Sequence, residues 1–236
     1  MKPNIMKHRK IGLAIATLLG YATATQAAII TQPSGLNPGD NYRLVFVSST
    51  TTTATDTTAA YYNDFVNNLA HSVPQLAALG VAWTVMGNLN GANPWQNTGT
   101  EGNDAIPIYR LDDTVFAANY TTLKFAPTVS VSLNELGTAV INSPQEVGRV
   151  WTGMGEASSV PQLSSYIGSG GAGGSTQAGR PDNVWYTWGW YPVANTQEQH
   201  LYAMSGVITV APIPEPSTAL LGGLGLLALL RRRRSA

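Results

Sequence analysis

Five aromatic side chains fall within seven positions: Trp185, Tyr186, Trp188, Trp190 and Tyr191. Asp182 and Asn183 immediately precede them. Aromatic faces stack on the apolar faces of sugar rings, and carboxylate or amide groups at the edge can bind the ring hydroxyls. Read as a strand, the segment places Tyr186, Trp188 and Trp190 on one face and Trp185, Thr187, Gly189 and Tyr191 on the other. Two readings are open. An exposed aromatic row would mark a binding surface, and the same residues would equally furnish a core, where Trp and Tyr contribute large buried area. The candidate glycan-binding set is Asp182, Asn183, Trp185, Trp188 and Trp190.

Catalytic chemistry is sparse elsewhere. The chain has no cysteine, which excludes a thiolate metal site, a disulfide scaffold and a Cys nucleophile. Beyond the N-terminal segment only His71 and His200 remain, and neither G-x-S-x-G nor H-E-x-x-H occurs. Glycoside hydrolysis needs two carboxylates across a cleft. Asp112 and Asp113 are adjacent, so a strand would turn them to opposite faces, and they fit a turn better. Glu101 with Asp104, or Glu156 with Asp182, meet only if the fold brings them together. A secreted carboxylate-pair glycan hydrolase is therefore the alternative function, with no catalytic residue assigned in the preferred one. Gly168–Gly173 matches G-x-G-x-x-G, but the following Gly174–Gly179 makes no helix, so Gly168–Gly179 reads as a loop rather than a dinucleotide site. No metal and no cofactor are expected.

The elements that must position these residues follow from periodicity. Tyr42–Ser48 is rich in β-branched and aromatic residues and predicts a strand. Asp56 or Thr57 can cap a helix over Ala59–Leu69, whose Tyr62, Phe65, Val66 and Leu69 share one face. Pro74 ends it, and Gln75–Leu79 adds a short turn closed by Gly80. Strands are predicted over Val81–Met86, Ile106–Leu111, Val129–Leu133, Val147–Thr152 and Leu201–Val210. Asn88–Asp104 reads as a long loop. One early helix followed by many short strands predicts a single α+β domain with an antiparallel sheet.

Charge is concentrated at the ends. The whole chain of 236 residues carries 13 Lys+Arg and 13 Asp+Glu. Residues 28–213 hold only 5 basic against 12 acidic groups, a net charge of −7. That balance excludes nucleic acid as a partner, because phosphate binding needs clustered Lys/Arg. At the N-terminus Lys7, Arg9 and Lys10 precede a short apolar run, Ile11–Gly20, then small residues to Ala27 and Ala28. This is the organisation of a secretory signal peptide, residues 1–27, cleaved after Ala27 or Ala28; a buried N-terminal helix is the competing account. The body then spans 28–211. A tail, 212–236, contains Pro214-Glu215-Pro216, an apolar run to Leu230, and Arg231, Arg232, Arg233 and Arg234. The 14-residue run would be about 21 Å long as a helix, short against a hydrocarbon core of about 30 Å. The arginines would stay cytoplasmic.

The Pro-Glu-Pro, apolar helix and Arg cluster, in that order, resemble the PEP-CTERM sorting signal of Gram-negative bacteria. The resemblance implies an exported protein held at the inner membrane facing the periplasm, processed near Pro-Glu-Pro by an exosortase, then passed to the cell surface or matrix. It also implies association with exopolysaccharide; a plain membrane anchor is the alternative reading of the tail. Two stretches of the body, Ile106–Leu123 and Gly148–Gly153, together with Leu201–Val207, resemble endostatin-type domains. That family implies a C-type-lectin-like fold, a twisted antiparallel sheet beside one or two helices. Arg180-Pro181-Asp182-Asn183 faintly resembles the sugar-and-calcium loop of C-type lectins, but the Trp-Asn-Asp motif is missing and a Pro-Asp turn is the preferred account.

Overall fold

The computed structural model describes residues 28–102, 105–125, 127–140, 148–155, 162–189 and 191–212. The expected signal peptide with Ala27, the tail residues Pro214, Glu215, Pro216 and Arg231–Arg234, and Trp190, Asp104 and Glu156 lie outside them.

The centre is a pair of strands with side chains buried on both faces. β1 (Asn41–Val47) pairs antiparallel with β11 (Glu198–Ser205), with Val45 opposite Met204 and Val47 opposite Tyr202. Because side chains alternate along a strand, each contributes to two cores. Leu44, Phe46, Leu201 and Ala203 enter one, while Val45, Val47, Tyr202 and Met204 enter the other. This explains why β1 reads as a continuous apolar run.

α1 (Ala59–His71) covers the first core with Tyr62, Val66 and Ala70, and Phe65 and Leu69 pack at its margin. Neither Asp56 nor Thr57 caps it: the N-cap is Thr58, with no side-chain cap bond, and Asp56 instead turns the chain just before it, its carboxylate accepting the Thr58 backbone N–H at 2.7 Å. α2 (Pro74–Ala77) follows, with Pro74 at its first turn, where a missing N–H costs nothing. β3 (Trp83–Val85) pairs with β11. Its other edge is closed by side chains: Asn67 Oδ1 accepts from Trp83 N at 3.0 Å, Asn63 Oδ1 from Val85 N at 2.9 Å, and Asn97 Nδ2 donates to Val85 O at 2.7 Å. An edge satisfied this way offers no ladder to another chain.

The remaining strands complete a mixed sheet. β2 (Thr52–Thr53), β4 (Ile108–Arg110), β5 (Val115–Ala117), β6 (Val150–Trp151), β9 (Ser175–Gly179), β10 (Tyr191–Ala194) and β12 (Ile208–Thr209) join it, in the main order β10-β9-β6-β11-β1-β4-β5. β7 (Met154–Gly155) and β8 (Gln162–Leu163) form a separate pair. The α+β class holds, but the wholly antiparallel sheet does not, since β1–β4 and β11–β6 run parallel. These pairs join segments far apart in sequence, where periodicity says nothing about direction.

Other expectations need correction. Asn88–Asp104 is not all loop: α3 (Pro94–Asn97) is set by a capping box in which Asn93 accepts from Gln96 N and Gln96 Oε1 from Asn93 N. α4 (Tyr120–Phe125) adds a fourth helix. Val129–Leu133 is no strand. Val131 is buried, but the segment makes only isolated bridges, Val47 with Asn134 and Leu133 with Ala139. The Asn134 side chain, accepting from Leu136 N and Thr138 N, turns the chain before a ladder can grow. Gly168–Gly179 is not a loop throughout, because its second half is β9, with Thr176 and Ala178 buried. No described helix is long and apolar enough to cross a membrane.

Candidate glycan-binding surface

The Trp185–Tyr191 segment connects β9 to β10 and is not one strand. Residues Val184–Tyr186 form a 3-10 turn and β10 begins only at Tyr191. The turn is built from the residues before it. Asn183 Oδ1 accepts from Trp185 N at 2.9 Å, and the Thr187 hydroxyl donates to the carbonyls of Asn183 and Val184, each at 3.1 Å. Arg180 and Asp182 form a two-point pair, Nε to Oδ1 and Nη2 to Oδ2, both 3.1 Å. The bond to Asp182 pushes the Arg180 pKa up, against the opposing effect of burial. Arg180 N also donates to Tyr186 O at 2.8 Å.

Two glycines seat the connection. A Cβ on Gly179 would lie 2.1 Å from Thr187 O, and one on Gly189 would lie 2.4 Å from Met154 O. No larger residue allows these approaches. The result separates the aromatics. Trp188 is 8% exposed and meets Trp95 edge-to-face at 5.4 Å, with Phe116 and Tyr202 at 6.3 and 6.2 Å. It belongs to the second core and cannot stack on a sugar. Its Nε1 and the Tyr202 hydroxyl are buried without a hydrogen-bond partner among the described residues. Burial, with a smaller effect of the Asp182 charge, pushes the Tyr202 pKa up.

Trp185 is 81% exposed, and Tyr191 is 51% exposed. The Tyr191 ring lies 4.8 Å from the Arg149 guanidinium, which is itself buried. That contact holds the ring in place from beneath. Nothing in the sequence links Arg149 to Tyr191, which strand pairing through β6 and β9 brings together. Asp182 and Asn183 are half-buried, and the bonds above show them shaping the loop. Pro192 removes one donor from the outer edge of β10. Gln177 O accepts from β6-side amides, Thr152 N and Gly153 N, so Pro192 opposite Gln177 turns its missing N–H outward.

Several other reactive side chains among the described residues are engaged structurally. His71 is exposed and donates to its own helix at Asn67 O. His200 is buried and donates through Nδ1 to Ser48 O at 2.6 Å; burial lowers its pKa, which the backbone bonds oppose. Glu135, 1% exposed, accepts from Ser49 N at 2.9 Å and from the Ser49 hydroxyl. Asp112 accepts from Arg110 and Asp113 from Ser34, in the turn expected for them. Burial acts to raise the Asp112 pKa, but the Arg110 and Thr114 bonds and the Arg110 charge outweigh it and hold the group below the usual carboxylate range. The described residues contain no cluster of three His, Cys, Asp or Glu able to hold a metal. Gly168 packs on backbone, since a Cβ there would sit 1.7 Å from Asp56 O.

Residues 212–234 match the PEP-CTERM protein-sorting motif. No curated protein matches the chain. The motif implies an exported protein, sorted by an exosortase and directed to the cell surface or beyond it.

Proposed function

We propose that the protein is a non-enzymatic component of the cell envelope or extracellular matrix that binds exopolysaccharide. On this reading residues 1–27 are removed as a signal peptide. The tail then holds the body on the outer side of the inner membrane until an exosortase processes it. The body is C-type-lectin-like, with long connections presenting a ligand surface at one end of the sheet. The observation that carries the binding role is Trp185, an indole exposed to solvent on a turn fixed by Asn183, Arg180–Asp182 and the buried Trp188. An exposed indole offers a flat apolar face of the kind that stacks on a sugar ring, and a sorting motif that implies export supports a ligand met outside the cell. Asp112, whose carboxyl the Arg110 and Thr114 bonds hold below the usual carboxylate range against the effect of burial, supports the non-enzymatic reading, because general acid–base hydrolysis uses a carboxyl with a raised pKa.

Retention of the processed protein on exopolysaccharide, wild type against Trp185→Ala, tests the proposal. By analogy with base stacking, worth about 1–3 kcal/mol per aromatic, the variant loses roughly 10- to 100-fold in affinity. Glycan turnover by the wild type, abolished by Glu156→Gln or Asp182→Asn, would establish the hydrolase instead.

A further inference from the structure

We infer that the polymer taken by the Trp185 surface is a neutral polysaccharide rather than a polyuronate or an amino-sugar polycation. This inference rests on the glycan-binding reading and narrows its ligand. It follows from where the few cations of the body are held. Arg43 is buried and donates to the carbonyls of Thr98 and Ser205 through Nη1, and to that of Gly99 through Nη2. Arg110 is tied to Asp112 and to Ser130 O. Arg180 is tied at two points to Asp182. Arg149 is buried beneath the Tyr191 ring. Lys124, whose Nζ lies 6.0 and 5.5 Å from the ring centroids of Tyr120 and Phe125, sits on α4.

A polyuronate is recognised by guanidinium groups that meet its carboxylates two oxygens at a time. The arginines nearest the surface, Arg149 and Arg180, are covered or paired, and residues 28–213 carry a net charge of −7. That net charge disfavours a polyanion. An amino-sugar polycation would gain from that field, but specific binding also needs an ammonium partner beside the stacking face. Asp182, the described carboxylate nearest in sequence to Trp185, already has its charge matched by Arg180 at 3.1 Å. What the segment presents to solvent is the indole of Trp185 and the phenol of Tyr191. These fit a sugar ring with a hydrophobic face and uncharged hydroxyls.

The test uses the processed protein from cells that express the exosortase. It is passed over three sets of polymers: neutral ones (cellulose, curdlan and galactomannan), alginate gel and chitosan beads. Each is run at about 0.01 M and about 1 M salt, where the screening length falls from about 30 Å to about 3 Å. Expected is retention on a neutral polymer that changes less than about twofold between the two salts, weakens at least tenfold in Trp185→Ala (about 1.4 kcal/mol), and is restored by Trp185→Tyr. Retention confined to alginate or chitosan, or lost at high salt, overturns the neutral ligand and leaves glycan binding standing. Retention on none of them removes the glycan-binding reading and the inference together.

Discussion

Trp185 and Trp188 lie on one short connection and meet opposite environments: Trp185 is 81% exposed, while Trp188 is 8% exposed and packs edge-to-face on Trp95 at 5.4 Å. The second residue is an anchor, and the first is what the anchor holds out to solvent. This division makes the two substitutions separable. Trp188→Ala should lower unfolding free energy by about 3–5 kcal/mol, the cost of emptying a large aromatic site. Trp185→Ala should change it by less than about 0.5 kcal/mol. Urea denaturation of both variants measures the difference.

The seat of the connection is steric. Gly179→Ala brings a methyl group to 2.1 Å from Thr187 O, a contact with backbone that cannot swing away. A loss of about 1–3 kcal/mol is expected, as for other overpacked sites. The thermal midpoint of Gly179→Ala against Gly173→Ala gives the check, because a Cβ on Gly173 meets nothing within 4 Å.

His200 makes stability fall on mild acidification. Burial lowers its folded pKa, so the unfolded chain takes up a proton first, near pH 6.5. The stabilisation is complete above that pH and is lost as pH falls from about 6.5 towards the lower folded value. Unfolding free energies measured between about pH 8 and about pH 5 should decline. His200→Asn should flatten the part of that decline lying above the carboxylate range. An unchanged slope would mean that other groups cause it.

The body of α1 and β1 were legible because their signals are local: an apolar face at helical spacing, and a β-branched run between turns; the α1 cap was not, because the N-cap, Thr58, makes no side-chain cap bond. The sorting tail was legible because its order of residue types is itself the signal. β9 was hidden because Ser175, Gly174 and Gly179 read as loop formers, although Thr176 and Ala178 alternate into the interior. The aromatic segment misled for a physical reason. Composition marks Trp185 and Trp188 alike, and only the turn capped by Asn183 and the close approaches at Gly179 and Gly189 decide which faces water. The Tyr191–Arg149 contact depends on pairing through β6 and β9 and has no local signature.

Processing should depend on the tail. Replacing Pro214-Glu215-Pro216 with alanines is expected to leave the precursor unprocessed in the membrane fraction, as should loss of the exosortase. An epitope at Thr31 follows the body through fractionation. Normal release of the alanine variant would show that the motif does not direct sorting in this protein.

On the proposed function, Trp185 is the residue that binds exopolysaccharide. The most direct measurement is an equilibrium isotherm of the processed protein, wild type and Trp185→Ala, on exopolysaccharide recovered from the producing cells. Melting temperatures are taken on the same samples. Expected are saturable wild-type binding, a loss of roughly 10- to 100-fold in the variant, and the same melting temperature for both. Equal binding by the two proteins, or no binding by the wild type, would contradict a binding role for Trp185.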